Sequence, residues 1–132
     1  MAWPDFIVAA FALGCIALAL SQFEFARPAA ILLSQAKAEE KALQLLLSNL
    51  SPLQRQQYHA FGYFEVVGSM TKTPYRIYQG TSRNVVELRD GRPGPGRCFM
   101  PKGELAAGDC MLAQKIAIEN FEEEVLSTAL PF

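Results

Sequence analysis

The chain has 132 residues and a formal net charge of −1, with 51% hydrophobic and 19% charged residues. This length accommodates one domain of about 100 residues together with an anchor or arm. The near-zero charge excludes a general electrostatic attraction to nucleic acid. Three cysteines are too few for a disulfide framework, although Cys98 and Cys110 form a candidate pair in an oxidising compartment. A single histidine, His59, with no CxxC or HxxxH pattern argues against a zinc site.

The first element is an apolar run, FIVAAFALGCIALAL at residues 6–20, that contains no charge, amide or hydroxyl group. A cleaved signal peptide is one interpretation, but its leading region normally carries a positive charge, and here it is MAWPD. A buried helix of a soluble core is a second, but a helix that is apolar on all sides is difficult to enclose in so small a domain. We therefore predict a transmembrane anchor over residues 1–26.

Small residues recur four positions apart within this run. Such surfaces allow close helix packing in a bilayer, so we take Ala10, Gly14, Cys15 and Ala19 as candidate helix-packing residues and expect other integral-membrane subunits as partners. The alternative is that alanine is simply a good helix former. No histidine, acidic or basic side chain lies in the run, which argues against axial cofactor ligation by histidine and against a proton relay there.

Basic residues flank the run only on its C-terminal side, at Arg27, Lys37 and Lys41. The positive-inside rule then places the C-terminal domain in the cytoplasm. We expect a single-pass protein of the cytoplasmic membrane, and we predict no cofactor.

Two helices are predicted next. Residues 27–50 form an amphipathic connecting helix whose leucines at 43, 46, 47 and 50 follow helical spacing; packing against the following domain is the favoured explanation of this stripe. Ser51, Pro52 and Gln54 then form a capping box with proline at the first helical position. This short helix ends at Gly62, where the small α+β domain of residues 51–132 continues into strands.

The helical spacing of apolar residues ends after Gly62. YFEVV, YRIY and VVEL are short β-branched and aromatic runs that predict strands, and the turn-like segments GSMTKTP and QGTSRN separate them. RDGRPGPGR is predicted as a turn, and CFM as a possible fourth strand. A long helix runs from Asp109 to about Ala129, with Phe121 and Val125 on its apolar face and Glu122 to Glu124 in solvent. The fold class is therefore α+β, with an antiparallel meander of three or four strands.

The charges are segregated. Residues 70–102 hold seven basic and two acidic residues, a balance of +5, whereas residues 103–132 hold one basic and six acidic residues, a balance of −5. We predict that the meander carries a basic surface, which includes Lys72, Arg76, Arg83, Arg89, Arg92 and Arg97. Three roles remain open for it: pairing with the acidic last helix, contact with anionic lipids or an acidic partner, or binding of single-stranded nucleic acid.

No residue pattern predicts catalysis. Cys98 or Cys110 would need a base such as His59 to become a nucleophile, and a structural role for both is favoured. The consecutive residues Glu122, Glu123 and Glu124 point in different directions on a helix, which argues against a metal site.

Several blocks of the chain also resemble a known pattern: LSPLQRQQYHAFGYFEVVGS, YRIYQGTSRNVVEL and CFMPKGELAAGDCMLAQKIAIENFEEEVL. They resemble a small uncharacterised domain that recurs in bacterial and phage-associated hypothetical proteins. The resemblance covers residues from about 50 to 129. It implies a helix–meander–helix unit, and it implies no reaction, no cofactor and no catalytic residue.

These observations together predict a non-catalytic accessory or assembly subunit of a larger integral-membrane complex, located in the bacterial inner membrane. The span would pack against other subunits, and the α+β domain would cap the cytoplasmic face. The alternative is a membrane-tethered binding module that uses the basic meander for nucleic acid or for an acidic protein or lipid surface.

Overall fold

A computed structural model of the chain describes residues 28–131. The predicted anchor at 1–26, with Ala10, Gly14, Cys15 and Ala19, lies outside the described residues. Between residues 28 and 131, none of the helices combines the length and the apolar character that crossing a bilayer requires.

The chain divides into two compact units, Met1–Lys37 and Ala38–Phe132. Of the first unit the structure describes residues 28–37, which are helical and exposed throughout. Three consecutive apolar side chains lie in this segment: Ile31, Leu32 and Leu33 are 58%, 65% and 65% exposed. This part of the first unit therefore presents apolar side chains to its surroundings.

The second unit begins inside helix α1, which covers residues 28–49. The predicted leucine stripe is confirmed at Leu46 and Leu50, which are buried, and at Leu47, which packs against the core. Leu43 is exposed instead, and Ala42 takes the buried position. The backbone of Gly108 approaches closely at Ala42, and the small side chain of Ala42 leaves room for that approach.

Helix α2 (Pro52–Phe61) confirms the prediction from its local sequence. Ser51 accepts from the backbone N–H of Gln54 at 3.2 Å, and the Gln54 side chain accepts from the backbone N–H of Ser51 at 3.0 Å. The helix ends at Gly62, in the left-handed conformation with φ of 73°. These reciprocal bonds satisfy backbone donors that the first helical turn would otherwise leave unpaired.

The sheet contains five antiparallel strands in chain order within the described residues. They are β1 (Tyr63–Val67), β2 (Pro74–Tyr78), β3 (Val85–Arg89), β4 (Arg92–Cys98) and β5 (Leu130–Pro131). The α+β class and the antiparallel meander are thus confirmed, with one strand more than predicted. The additional strand, β5, comes from the end of the chain and pairs with β4.

The position of the fourth strand was predicted wrongly. RDGRPGPGR is not one long turn: only Asp90 and Gly91 turn, with φ of 51° and 74°, and β4 begins at Arg92. The two prolines are tolerated because β5 pairs only with Arg97 and Cys98, so residues 92–96 lie at a free edge. Phe99 and Met100, predicted as strand, follow β4.

Helix α3 (Ala107–Thr128) begins two residues before the predicted start. Its N-cap, Ala106, has no side chain to accept a hydrogen bond, and the carboxylate of Glu39 in α1 accepts from the backbone N–H of Ala107 at 3.2 Å instead. A Cβ atom placed on Gly108 would lie 2.5 Å from the carbonyl oxygen of Ala42. Contact between α1 and α3 at this point therefore requires glycine at position 108.

The core lies between one face of the sheet and helices α1 and α3. Its buried members are Leu46, Leu50, Phe64, Val66, Tyr75, Ile77, Val85, Met111, Leu112 and Ile118. Alternation along β1 and β2 places Phe64, Val66, Tyr75 and Ile77 on this face. The intervening residues form the opposite face of the sheet.

We expect Gly108→Ala to lower the free energy of unfolding by about 1–3 kcal/mol, because the added methyl group meets backbone atoms that cannot rotate away. Elsewhere in a helix the same change usually stabilises by about 1 kcal/mol. Urea unfolding of the full chain in mild detergent measures the difference. Gln44→Ala on the exposed side of α1 is the control, with an expected change within about 0.5 kcal/mol. Stabilisation by Gly108→Ala would contradict the close contact.

Candidate functional site

Helix α3 is interrupted at Phe121, whose φ of −136° and ψ of 41° are not helical. In a regular helix the carbonyl of Ile118 accepts from the backbone N–H of Glu122. Here that carbonyl accepts from the backbone N–H of Ser69 at 3.2 Å, and the N–H of Glu122 donates to the hydroxyl of Ser69 at 3.3 Å. Ser69, in the turn between β1 and β2, is thus inserted into the hydrogen-bond ladder of α3, a recognised cause of a sharp bend.

The interruption reverses the predicted orientation of two side chains. Phe121, predicted on the apolar face, is 59% exposed, and Glu122, predicted in solvent, is 1% exposed. A regular helical period, on which the prediction depended, does not continue through residue 121. The buried carboxylate is therefore a feature that periodicity alone misses.

The turn between β1 and β2 surrounds the Glu122 carboxylate with donors. One oxygen accepts from the backbone N–H groups of Met70 and Thr71 at 2.7 and 2.9 Å. The other accepts from the Tyr75 hydroxyl at 2.9 Å and from the Thr71 hydroxyl. Within residues 28–131 this carboxylate forms no ion pair. Neutral donors thus hold a buried charge without a counter-ion.

This arrangement changes the pKa of Glu122. Burial alone would raise it, but the hydrogen bonds from Thr71, Met70 and Tyr75 favour the ionised form and together hold the pKa below its ordinary value of 4.5. Burial raises the pKa of Tyr75, and its bond to the negative carboxylate raises it further. Both shifts describe an ionised Glu122 and a neutral Tyr75 hydroxyl at neutral pH.

The Glu122 carboxylate lies so close to the turn that position 68 accommodates only glycine. A Cβ atom on Gly68 would lie 2.3 Å from the carboxyl carbon of Glu122. Gly68 also donates its backbone N–H to the carbonyl of Thr73 at 2.9 Å, which closes the turn. The turn predicted at GSMTKTP is confirmed, but nothing in that segment identifies Glu122, 52 residues after Met70, as the group that the turn binds.

Two hollows lie beside this turn and α3, with volumes of about 760 and 510 Å³. Both are lined by Met70, Glu122, Glu123 and Ser127, so the two hollows adjoin each other at these residues. We call the two hollows together the turn–helix groove. Apolar side chains contribute much of its lining: Met70, Phe121, Leu126, Ala129 and Pro131.

Tyr63 and Tyr78 lie on the sheet face opposite the core, and Phe61 at the end of α2 extends them into a row of three aromatic rings. Phe61 stacks on Tyr63 with centroids 5.4 Å apart, and Tyr63 contacts Tyr78 at 5.3 Å. The guanidinium of Arg76 lies 4.2 Å from the Tyr63 ring centre and forms an ion pair with Glu65 at 2.7 Å. Arg76 and Tyr78 thus share one face of β2, and the charge of Arg76 is paired with that of Glu65 on β1.

The six predicted basic residues do not lie on one face. Arg76 is opposite Val86 on β3, whereas Arg97 is opposite Val85, the next residue, so the two arginines lie on opposite faces of the sheet. Arg97 donates to the carbonyl of Leu126 in α3 at 3.2 Å. The role of a basic surface stays a prediction, but no single continuous patch contains these two arginines.

The other four residues of the predicted basic surface lie at strand ends and in turns. Arg89 and Arg92 flank the β3–β4 turn, and Arg89 pairs with Glu87 at 2.9 Å. Lys72 and Arg83 occupy positive-φ turn positions and donate to the carbonyls of Ser69 and Gly94. The two ion pairs that the six predicted basic residues form within residues 28–131, Arg76 with Glu65 and Arg89 with Glu87, both lie inside the sheet.

Of the two candidate nucleophiles, Cys110 has surroundings that disfavour its thiolate form. Both Cys98 and Cys110 are free thiols. Burial, together with the negative charges of Asp109 and Glu39, raises the pKa of Cys110, which opposes thiolate formation. His59 lies exposed on α2 beside Tyr58. Across residues 28–131, no group of three or more His, Cys, Asp or Glu side chains is placed to hold a metal ion.

No family model, no curated protein and no solved structure matches this chain. The resemblance of residues 50–129 to an uncharacterised bacterial and phage-associated domain therefore stays a prediction.

We expect Glu122→Gln to lower the free energy of unfolding at pH 7 by about 1–3 kcal/mol, because the amide nitrogen cannot accept from the turn and leaves donors unsatisfied. The folded-state pKa of Glu122 lies below 4.5, so the ionised carboxylate stabilises the fold above that pH. This contribution is lost as the pH falls through the lowered pKa. The difference between wild type and variant should therefore shrink in acid.

Urea unfolding of both proteins across a pH series measures this difference. Glu123→Gln is the matched control, because its side chain is adjacent but exposed, and we expect no comparable loss. A pH-independent difference between wild type and Glu122→Gln would contradict an ionised, turn-bound carboxylate.

Proposed function

We propose that this protein is a non-catalytic accessory or assembly subunit of a larger integral-membrane complex. In this proposal residues 1–26 anchor the chain in the bacterial inner membrane, and the α+β domain covers the cytoplasmic side of the complex. The observation that carries the proposal is the exposed apolar helix at residues 28–37.

A helix with apolar side chains on several sides is normally buried in protein or lipid. Ile31, Leu32 and Leu33 are consecutive, so they point in three directions around the helix, and all three are more than half exposed. Burial of one such side chain contributes about 1.5–3 kcal/mol. Coverage by a membrane subunit at the bilayer surface would recover this free energy for all three.

The chemistry of the described residues supports a binding role over catalysis. The buried Glu122 is fully engaged by donors from its own chain, and the raised pKa of Cys110 opposes its use as a nucleophile. The polar groups with the most distinctive environments thus serve the fold. The exposed apolar positions are the ones left for a partner.

Affinity purification in mild detergent followed by mass spectrometry tests the proposal. We expect the full chain to retain a stoichiometric integral-membrane complex and Leu32→Glu to lose it. The loss is expected to reach about tenfold, because a charge in a buried apolar contact costs more than 1.4 kcal/mol. Gln35→Glu adds the same charge to the same exposed segment and should retain the partners.

Two results would overturn the proposal. The first is a wild-type chain that is recovered alone and monomeric. The second is equal retention of partners by Leu32→Glu and the wild type.

The aromatic row of Phe61, Tyr63 and Tyr78 favours a second candidate function, binding of single-stranded nucleic acid. Aromatic rings on an open sheet face can stack with bases, at about 1–3 kcal/mol per base. The pairing of Arg76 with Glu65 removes one charge that phosphate would use, so this candidate ranks second.

Fluorescence anisotropy of the full chain in mild detergent with a labelled DNA oligonucleotide tests this second function. Tyr78→Ala should weaken binding about tenfold, and added salt should weaken it further. Met100→Ala is the control, because Met100 is an exposed apolar residue that lies after β4 and outside the aromatic row. Absence of salt-sensitive binding by the wild type would discard the candidate.

A further inference from the structure

We infer that the turn–helix groove binds a basic, amphipathic segment adjoining a transmembrane helix of a partner subunit. This inference rests on the proposed function, and it assigns to the α+β domain a docking site separate from the exposed helix at residues 28–37.

The shape of the groove suits a peptide segment. Its two hollows share four lining residues, and together they run along the C-terminal part of α3. Met70 and Leu130 are 66% and 70% exposed nearby, and Phe121 faces outward at the interruption of the helix. Exposed apolar side chains beside a concave surface are typical of sites that bind another chain.

The charge of the groove specifies the chemistry of its occupant. Glu122, Glu123 and Glu124 line it against one base, Arg97. Glu123 and Glu124 are exposed and form no ion pair with any residue between 28 and 131. Arg97 is engaged with the carbonyl of Leu126. An acidic segment would be repelled here, whereas lysine or arginine side chains would find two unpaired carboxylates.

The groove is held in shape before any partner arrives. Hydrogen bonds from Met70, Thr71 and Tyr75 to Glu122 hold the turn against α3. Ser69, also in the turn, bonds directly to the backbone of α3. A wall fixed in this way costs little conformational entropy on binding. The carboxylate of Glu122 therefore serves to position the site, while Glu123 and Glu124 remain available for contact.

A membrane partner offers the required chemistry. Cytoplasmic segments next to transmembrane helices carry an excess of lysine and arginine, and such segments combine these charges with apolar residues where they approach the bilayer. The groove presents the complementary combination of carboxylates and apolar side chains. The occupant is thus recognised by alternating cationic and apolar side chains, and by its position beside a span.

Site-specific crosslinking in intact membranes tests this assignment. The full chain carries the substitution Met70→p-benzoylphenylalanine, at an exposed position inside the groove, and mass spectrometry identifies the crosslinked peptide. We expect a peptide rich in lysine or arginine that lies within about 20 residues of an apolar span in the partner.

Charge reversal then tests the electrostatic complementarity. Glu123→Lys combined with Glu124→Lys should reduce this crosslink and the co-purified partner about tenfold, because two attractive contacts become repulsive. Glu40→Lys combined with Glu104→Lys changes the net charge equally at exposed sites outside the groove, and should change both readouts less than about twofold. Circular dichroism of each variant checks that the fold is retained.

The outcomes separate the two proposals. A complex that co-purifies normally, but whose crosslink maps to an acidic or non-juxtamembrane segment, overturns the groove assignment and leaves the subunit proposal intact. Equal retention of the partner by the two charge-reversed proteins overturns the groove assignment in the same way. A chain that co-purifies with no membrane protein overturns both.

Discussion

The exchange of hydrogen bonds between Ser69 and helix α3 is the interaction on which the rest of the structure depends. A serine that donates its N–H to Ile118 and accepts from Glu122 replaces one rung of the helix. This replacement turns Glu122 inward and Phe121 outward. The turn between β1 and β2 then encloses the carboxylate, so one local irregularity joins the sheet to the last helix and creates the groove between them.

Sequence reasoning succeeded where the determinants are local. The capping box of Ser51 and Gln54 and the alternation in YFEVV specify their elements within a few residues, and both are confirmed. It failed at β4 and at Glu122, for different reasons. β4 was missed although its determinant is local, because two prolines hid a strand that pairs with β3 across the two-residue turn at Asp90 and Gly91. Glu122 is buried because donors some fifty residues earlier surround it, and helical periodicity contains no information about them.

The segregation of charge along the chain does not produce ion pairs between the meander and the last helix within residues 28–131. Arg76 and Arg89 pair with Glu65 and Glu87 in the sheet. The side chains of Glu123 and Glu124 lie exposed and form no ion pair with any residue between 28 and 131. A sequence with a net charge of −1 therefore has a locally acidic surface, and local charge is what an approaching partner encounters.

The covering of strand β1 has a consequence for how this domain recognises other proteins. Gln54 donates to the carbonyl of Glu65 at 2.8 Å, and Gln57 accepts from its N–H at 3.0 Å, so side-chain amides of α2 occupy the bonds that a neighbouring strand would make. The opposite edge has a two-residue strand that ends in Pro131 and prolines in β4. Within residues 28–131 both edges thus carry features that oppose strand addition. Recognition of another protein through side chains is therefore favoured over extension of this sheet by a further strand.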